Sequence, residues 1–168
     1  MDVGRILFVV NAFIQFIADG TVLLVVAVAI YVLVTKIPNK EKYAAYSRIL
    51  MAGLTAFLVA KLLATVYQPA TERPFELLGV APGAAFLDNP GFPSDHALFV
   101  TAIFLAVWFE TRARVVAGIL LILVIVVGIG RVAALVHTPL DVIGGVIAAL
   151  IGSIWYFTAP RSRSTRVK

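Results

Sequence analysis

Five apolar segments constrain the fold of this chain more than any other feature of its sequence. The first, GTVLLVVAVAIYVLVT at Gly20–Thr35, contains no charged side chain. Four more follow at 46–67, 96–109, 115–132 and 140–157. Segments of this character are typical of helices that cross a lipid bilayer, which takes about 20 residues. The third segment is short, so we expect it to continue into protein near the polar sequence that precedes it.

The composition supports a membrane protein. Apolar residues make up 61% of the chain and charged residues only 14%, whereas a soluble domain is roughly half apolar. We therefore predict an all-α integral membrane helical bundle with about five transmembrane helices, formed by a single domain over residues 1–168. The chain has no cysteine, which excludes disulfides and thiolate metal sites.

The first 19 residues predict a further helix. Arg5 precedes an apolar run, as in a signal peptide, but no small-residue cleavage site precedes a soluble domain. Asn11, Gln15 and Asp19 recur at every fourth position and therefore share one helix face. We predict an amphipathic helix that lies at the membrane interface or packs on the bundle. The alternative is a frayed start to the first transmembrane helix.

The basic residues predict the orientation of the helices. In a chain that crosses the membrane five times, ten of the fourteen basic residues fall on one side: Lys36, Lys40, Lys42, Arg48, Arg112, Arg114, Arg161, Arg163, Arg166 and Lys168. The positive-inside rule makes that side cytoplasmic, together with the C-terminus. Topology and contact with anionic lipids account for these residues. The loops at 69–93 and 132–139 then lie outside, and any chemistry is expected to face outward.

Two cations on the outer side are candidate anion ligands. Arg73 lies beside Pro74 in the sequence QPATERPF, and its rigid guanidinium suits phosphate oxygens. Lys61 lies within the apolar second segment, where a lysine is costly and tends to face a cavity or an anion. The alternative for Arg73 is a solvated loop residue, and the alternative for Lys61 is snorkelling to the outer interface.

The sequence FPSDHALF begins the third segment. Pro93 and Ser94 are typical of a helix start, where free N–H groups and the positive end of the dipole favour an anion. Simpler interpretations are that Ser94 only caps the helix and that Asp95 only favours its dipole. His96 is harder to explain in this way, because it opens a segment with no other titratable group until Glu110.

The sequence GIGRVAALVHTPLDVIGG carries a third group of polar residues. Arg131 lies six positions before His137, and Asp141 lies four positions after it. If the fifth helix starts near His137, Asp141 shares its face and can accept a hydrogen bond from one imidazole nitrogen. Such a carboxylate orients the ring and raises the basicity of the other nitrogen, which favours a histidine nucleophile. The alternative is that Asp141 is only a partner of the helix dipole.

The three groups together indicate an anionic substrate. Both histidines of the chain fall at outer helix starts. Beyond the N-terminal helix, the outer basic residues are Lys61, Arg73 and Arg131. Two imidazoles, one carboxylate and three cations at one membrane face form a constellation suited to a phosphate group.

These residues resemble the motifs of the type 2 phosphatidic acid phosphatase superfamily of membrane phosphatases, which has a six-helix core. The family carries Lys before Arg-Pro, then Pro-Ser-Gly-His, then Ser-Arg-x5-His-x3-Asp. The matching residues are Lys61, Arg73-Pro74, Pro93-Ser94-Asp95-His96, Gly130-Arg131, His137 and Asp141. This sequence departs from the pattern in three places: Val66 stands where the Lys is usual, Asp95 replaces Gly, and Gly130 replaces Ser.

A branch within that superfamily is also suggested. FPSDH together with RPF resembles the undecaprenyl-diphosphate phosphatases, which recycle the lipid carrier of bacterial cell-wall synthesis. The resemblance implies a lipid diphosphate as substrate, hydrolysed to the monophosphate. A phosphatidylglycerol phosphate, phosphatidic acid or other lipid monophosphate is the alternative substrate. A non-catalytic binder or transporter of anionic lipids is the alternative of another class, which needs the arginines but not both histidines.

The resemblance also implies a mechanism. His137 attacks phosphorus to form a phosphohistidine, Asp141 holds its ring, and His96 protonates the leaving oxygen and then activates water. The head group contacts Arg73, Arg131, the amides after Ser94, and Lys61. Asp95 tunes His96, repels a wrong head group or supports the helix start. No metal ion, other cofactor or nucleic-acid partner is expected, and no oligomeric state is predicted.

Overall fold

A computed structural model describes residues 3–69, 72–89 and 91–158, with side chains from residue 8 onward. Over these residues the chain is helical and contains no strand. The α-helices are α1 Val3–Gln15, α2 Thr21–Lys36, α3 Lys42–Val66, α4 Pro74–Leu77, α5 Asp95–Glu110, α6 Arg114–Ala133 and α7 Pro139–Gly152. A π-helical segment at Phe16–Gly20 joins α1 to α2, and 3-10 turns cover Asn39–Glu41 and Ser153–Thr158. The predicted all-α bundle is confirmed.

Four stretches of helix within the described ranges are long and apolar enough to cross a membrane. They are Phe8–Lys36, Asn39–Val66, Arg114–Ala133 and Pro139–Thr158. The third predicted segment corresponds to α5, which has 16 residues. At 1.5 Å per residue it is about 24 Å long, less than the hydrocarbon thickness of about 30 Å. The short helix predicted from the sequence is therefore present.

Helix α5 lies at the centre of the bundle and is sheltered by its neighbours. It packs against α2, α3, α6 and α7. Val100 and Val107 on α5 are fully buried, whereas α3 exposes large apolar side chains such as Leu50 and Leu62. The exposed apolar faces of the outer helices are typical of contact with lipid. A short helix can occupy the centre because protein rather than lipid surrounds it.

Glycines on α7 allow close contact with α5 and α3. A methyl group at Gly145 would collide with the backbone oxygen of Ser94 and would lie 2.9 Å from the nitrogen of Leu98. A methyl group at Gly152 would likewise collide with backbone and side-chain atoms of α3. Small residues permit such backbone contact between membrane helices. The close approach fixes the start of α5 against the start of α7.

The predicted N-terminal helix is present, but it does not form a separate element. From Val3 the chain runs through the π-helical segment into α2 without leaving helical backbone angles, because Gln15 and Gly20 both have right-handed helical angles. Ala18 in this segment is fully buried, while Phe8 and Phe13 are exposed. The N-terminal residues therefore extend the first transmembrane helix, and residues 1–2 lie outside the described part.

The two ends of the bundle differ in character. At one end Arg48 donates two hydrogen bonds, of 2.7 and 2.6 Å, to the carboxylate of Glu110. Lys36, Lys40 and Arg112 line a cavity at the same end. The four basic residues of the tail, 161, 163, 166 and 168, lie outside the described residues. The opposite end gathers the π-helical segment, the starts of α5 and α7, and the end of α6.

Candidate active site

The start of α7 places a histidine beside a carboxylate. Thr138 and Asp141 form a capping box: Asp141 Oδ2 accepts the Thr138 N–H at 2.7 Å, and Thr138 Oγ1 accepts the Asp141 N–H at 3.2 Å. The same Oδ2 lies 3.6 Å from Nδ1 of His137. This is longer than a hydrogen bond, but catalytic contacts often tighten when substrate binds. Both interpretations of Asp141, as cap and as imidazole partner, are compatible with this geometry.

Burial controls the protonation of His137. The side chain is 6% exposed, and Nδ1 has no hydrogen-bond partner among the described atoms. Loss of solvation lowers the pKa of His137 from the usual 6.5, and the nearby Asp141 carboxylate opposes this effect only in part. The positive charges of Arg131 and Arg73 lower the pKa further. His137 is therefore neutral at pH 7, as a nucleophile must be.

Arg131 and His96 meet at a carboxylate that sequence reasoning did not assign to the site. Arg131, at the end of α6, is 1% exposed and donates from Nη1 to Asp19 Oδ1 at 2.7 Å. Nε2 of His96, in the first turn of α5, lies 3.8 Å from the same oxygen. Asp19 belongs to the π-helical segment. A lone carboxylate in an apolar helix is the signal that could have identified it, because such groups are functional by default.

Arg73 is buried and its donors are directed at backbone oxygens. Nη1 donates to the Val136 oxygen at 2.6 Å, and Nη2 lies 3.0 Å from the oxygens of Leu87 and Asn89. Burial lowers the pKa of the guanidinium, and the carboxylate of Glu76 opposes the shift. Arg73 thus ties the segment at Leu87 and Asn89 to Val136, the residue that precedes His137.

Gly91 shows how closely three of these groups approach one another. A methyl group on Gly91 would lie 3.4 Å from Asp141 Oδ2 and 3.8 Å from both Arg73 Nη1 and His137 Nδ1. Sequence reasoning did not single out Gly91, and a glycine two residues before a proline gives no specific signal. Its missing side chain leaves space between the cation, the imidazole and the carboxylate.

Ser94 joins the start of α5 to the start of α7. Its side chain is fully buried and accepts the Ala97 N–H at 3.5 Å, a weak N-terminal cap. Its own backbone N–H donates to the backbone oxygen of Asp141 at 2.9 Å. These bonds correspond to the simpler interpretation of Ser94 as a cap. They also hold His96 and Asp141 at the same end of the bundle.

Lys61 and Asp95 lie at the edge of this region and face each other. Lys61 Nζ is 3.8 Å from Asp95 Oδ1, and both side chains are nearly half exposed. Together with Gln68, Asn89 and four apolar residues they line a cavity of about 220 Å³. The structure therefore gives Asp95 a partner, which the sequence left open, and places both residues beside rather than within the buried cluster.

The cluster as a whole is suited to holding an anion. Two buried guanidinium groups and two imidazoles lie at one end of the bundle, and Nε of Arg131 is a buried donor with no partner among the described residues. An unused buried donor is costly and favours a ligand with acceptor oxygens. Within the described ranges no three His, Asp or Glu side chains are arranged to hold a metal ion.

Comparison with known proteins places most of the chain in one family. The sequence profile of the PAP2 superfamily matches residues 24–164. The chain is 28% identical over 170 residues to a Bacillus licheniformis protein named bacitracin transport permease protein BcrC, a match that covers 95% of this chain and 77% of that protein. No solved structure matches the chain. Because the profile extends over most of the bundle and members of this superfamily are phosphatases, the chain belongs to the PAP2 superfamily and is a membrane phosphatase that hydrolyses phosphoric esters.

Proposed function

We propose that this protein hydrolyses an isoprenoid-lipid diphosphate, of the undecaprenyl diphosphate type, to the monophosphate and phosphate. The observation that carries the proposal is the arrangement at one bundle end of His137 with Asp141 and of Arg131 with His96. A neutral imidazole oriented by a carboxylate is a nucleophile, and buried guanidinium groups stabilise the charge of a transferring phosphoryl group.

The reaction proceeds in two steps. Nδ1 of His137 faces Asp141, so the other ring nitrogen, Nε2, attacks the terminal phosphorus and forms an N–P bond. The bond from phosphorus to the bridging oxygen breaks, and His96 gives its proton to that oxygen. His96 then takes a proton from water, whose oxygen attacks phosphorus and breaks the N–P bond. Asp141 stabilises the positive ring of the intermediate.

The donors and the space around the cluster fit a diphosphate, and the space distinguishes it from a monophosphate. Arg131 Nε is free to donate to the reacting phosphoryl group, together with the amides that follow Ser94, and Arg73 adds a positive charge that acts on His137. The cavity beside the cluster adds room for a second phosphate, and Lys61 in its wall would exchange its contact with Asp95 for that phosphate. A monophosphate leaves that cavity unused.

An apolar groove supports a lipid substrate. A cavity of about 320 Å³ next to His96 is lined by Val22, Phe57, Leu98 and Phe99. A second cavity, of about 340 Å³, shares Phe57, Leu98 and Phe99 and continues along α5 to Tyr156. Because they share these three residues, the two cavities adjoin between α2, α3 and α5. An isoprenoid chain bonded to a phosphate at His96 would lie in this groove.

A substrate panel tests the reaction. Phosphate release by the purified protein in detergent is measured with an isoprenoid diphosphate, the corresponding monophosphate and phosphatidic acid. We expect the diphosphate to give the highest kcat/KM, and we expect full activity in excess chelator, since the described residues supply the nucleophile and the cations. Equal or faster release from the monophosphates would contradict the diphosphate assignment. Loss of activity in chelator that only a divalent ion restores would contradict the metal-free scheme.

The same panel tests the alternative of a transport or binding protein. This alternative is kept because the relative from Bacillus licheniformis carries the name of a transport permease. A binder needs Arg73 and Arg131 but not both histidines. Lipid diphosphate binding without phosphate release from any substrate would favour the alternative over an enzyme.

A substitution in the groove tests whether the isoprenoid chain binds there. Gly53 lines it, and a methyl group there would have no neighbour within 4 Å, so a side chain at this position starts in open space. We expect Gly53→Phe to lower kcat/KM about tenfold for a long isoprenoid diphosphate and to spare a short one, since a lost apolar contact is worth about this factor. Gly118→Phe is the matched control, because Gly118 on α6 also has open space. Equal loss for both chain lengths, or in both variants, would contradict the groove.

A further inference from the structure

Asp19 lies outside the residues that the family profile matches, yet it touches two residues of the candidate site. Its Oδ1 accepts from Arg131 Nη1 at 2.7 Å and lies 3.8 Å from His96 Nε2. Its Oδ2 accepts the N–H of Ala85, in the outer loop, at 2.9 Å. The carboxylate therefore connects the N-terminal helix, α5, α6 and the outer loop at one point.

The local backbone structure and packing fix the position of the Asp19 carboxylate. The π-helical turn at Phe16–Gly20 inserts an extra residue into the helix, and such insertions often occur at functional sites. The neighbouring Ala18 is fully buried and packs with Phe75, Ala134 and Val136. Asp19 thus sits on a segment that is fixed by packing on one side and by the Ala85 hydrogen bond on the other.

The lack of a side chain at Gly130 allows the π-helical segment to approach the end of α6. A methyl group on Gly130 would lie 2.6 Å from Ile17 Cγ2, 3.0 Å from the Ala18 nitrogen and 3.1 Å from the Ala18 Cα. Serine is usual at this position in the PAP2 superfamily, and any side chain there would displace the π-helical turn. Glycine in place of the usual serine at position 130 therefore allows the segment that carries Asp19 to pack against α6.

The charges of Arg131, Asp19 and His96 indicate the role of this contact. Arg131 is 1% exposed, and Asp19 is the only hydrogen-bond acceptor of its guanidinium among the described residues. A buried guanidinium without a counter-ion is strongly unfavourable. Asp19 occupies one terminal nitrogen of Arg131 and leaves Nε free. The same oxygen also lies within ion-pair distance of the His96 ring once that ring is protonated.

We propose that Asp19 is a positioning residue of this phosphatase: its carboxylate holds Arg131 and faces His96, so that the guanidinium and the imidazole are presented to the same phosphoryl group. The inference rests on the proposed function. Asp19 itself does not contact the reacting phosphorus. It acts through the direction of Arg131 Nε and through the charge beside the general acid.

The first test compares Asp19→Asn, Asp19→Glu and a control, Glu72→Gln. Glu72 is an exposed carboxylate next to Arg73 in sequence, and no cation pairs with it in the described part of the chain. We expect Asp19→Asn to lower kcat about 10²-fold, as for loss of a preorganised charge interaction, and to weaken inhibition by inorganic phosphate about tenfold. Asp19→Glu recovers part of kcat because the charge remains, and Glu72→Gln leaves both quantities unchanged.

A purely structural role would give a different result. It would lower the yield or the thermal midpoint of Asp19→Asn while kcat per folded molecule, counted from the monodisperse peak in size-exclusion chromatography, stayed at the wild-type value. That result would overturn the proposal. Unchanged kcat with tighter phosphate inhibition would also overturn it, because the Asp19 carboxylate would then only compete with phosphate for Arg131.

The second test uses Gly130, so that the result does not depend on recovery of one variant. Gly130→Ala displaces the segment that carries Asp19, and we expect kcat to fall as far as in Asp19→Asn. The double variant is expected to fall no further, since both changes remove the same interaction. Full additivity, or wild-type kcat in Gly130→Ala, would contradict the link.

Failure of the proposed function is distinguishable from failure of this inference. If the wild-type protein releases no phosphate from the substrate panel, the proposed function fails. Protection against thermal unfolding by inorganic phosphate is then compared in the same variants. Loss of protection in Asp19→Asn but not in Glu72→Gln would still support the positioning of Arg131, and equal protection in both would overturn it.

Discussion

At the scale of single residues, Asp141 serves two neighbours with one carboxylate. Its Oδ2 completes the capping box of α7 and faces Nδ1 of His137. The helix start thereby fixes the carboxylate before any substrate binds, which is the preorganisation that catalysis requires. Ser94 acts in the same way, since it caps α5 and binds the backbone of Asp141.

The environment of His137 predicts the pH dependence of the reaction. Burial lowers the pKa of His137 below its ordinary 6.5, and in the proposed mechanism only the neutral ring attacks phosphorus. As the pH falls, activity is therefore kept until the ring protonates, so the acid limb of kcat/KM should lie below pH 6.5. This limb reports the free enzyme and is measured with the lipid diphosphate in detergent. An acid limb at or above pH 6.5 would contradict the assignment.

A substitution at Asp141 tests the same pH dependence of kcat/KM. Its carboxylate favours the protonated ring of His137 and opposes the lowering of its pKa. Asp141→Asn should therefore move the acid limb to still lower pH, while kcat falls about 10²- to 10⁴-fold, as for other histidines that lose their orienting carboxylate. A limb that moves to higher pH would show that Asp141 does not act on His137.

The sequence identified part of this site but not all of it. His137 and Asp141 are four residues apart on one helix start, so their proximity follows from local geometry. Asp19 and Arg131 are 112 positions apart, and their contact depends on how the N-terminal helix packs on α6. Gly91 likewise matters only because distant segments surround it. Tertiary contacts of this kind leave no local pattern in a single sequence.

At the scale of helices, close packing of α5 on α7 controls the distance between the two histidine-bearing helix starts. Gly145 lies directly against the backbone of Ser94 and Leu98. The apolar segments predicted the helices, and their observed ends differ from the predicted ones by only a few residues. The continuity of α1 with α2 is closer to the alternative given by the sequence than to the preferred separate helix, because it depends on the fit of the π-helical turn against Gly130.

Gly145→Ala tests this packing. The added methyl group must displace backbone, so we expect the thermal midpoint to fall by several degrees, as for overpacking that costs about 1–3 kcal/mol, and kcat to fall at least about tenfold. Gly118→Ala is the control, because its methyl group meets nothing within 4 Å and alanine favours a helix by about 1 kcal/mol over glycine. Equal thermal midpoints in the two variants, measured in detergent, would contradict a packing role for Gly145.

At the scale of the whole molecule, the two ends of the bundle carry different residues. The described basic residues Lys36, Lys40, Arg48 and Arg112 lie at one end, and the candidate site lies at the other. With the positive-inside rule, this separation predicts that the site faces the extracytoplasmic side. A lipid diphosphate exposed on that side would then be the accessible substrate.

Single thiols test this orientation, since the chain has no cysteine of its own. Val80→Cys places a thiol in the loop next to the site, where Val80 is 48% exposed, and Lys40→Cys places one at the opposite end. We expect a membrane-impermeant maleimide to label the Val80→Cys variant in intact cells and to label the Lys40→Cys variant only after lysis. The reverse pattern would place the site on the cytoplasmic side.

The most direct test of the central claim is single-turnover phosphate release from a lipid diphosphate by His137→Ala. The variant should elute and unfold like the wild type, because the ring forms no hydrogen bond through Nδ1 that the fold would lose. If His137 is the nucleophile, release falls at least about 10³-fold and no phosphoenzyme forms. Release at the wild-type rate by the folded variant would contradict the account.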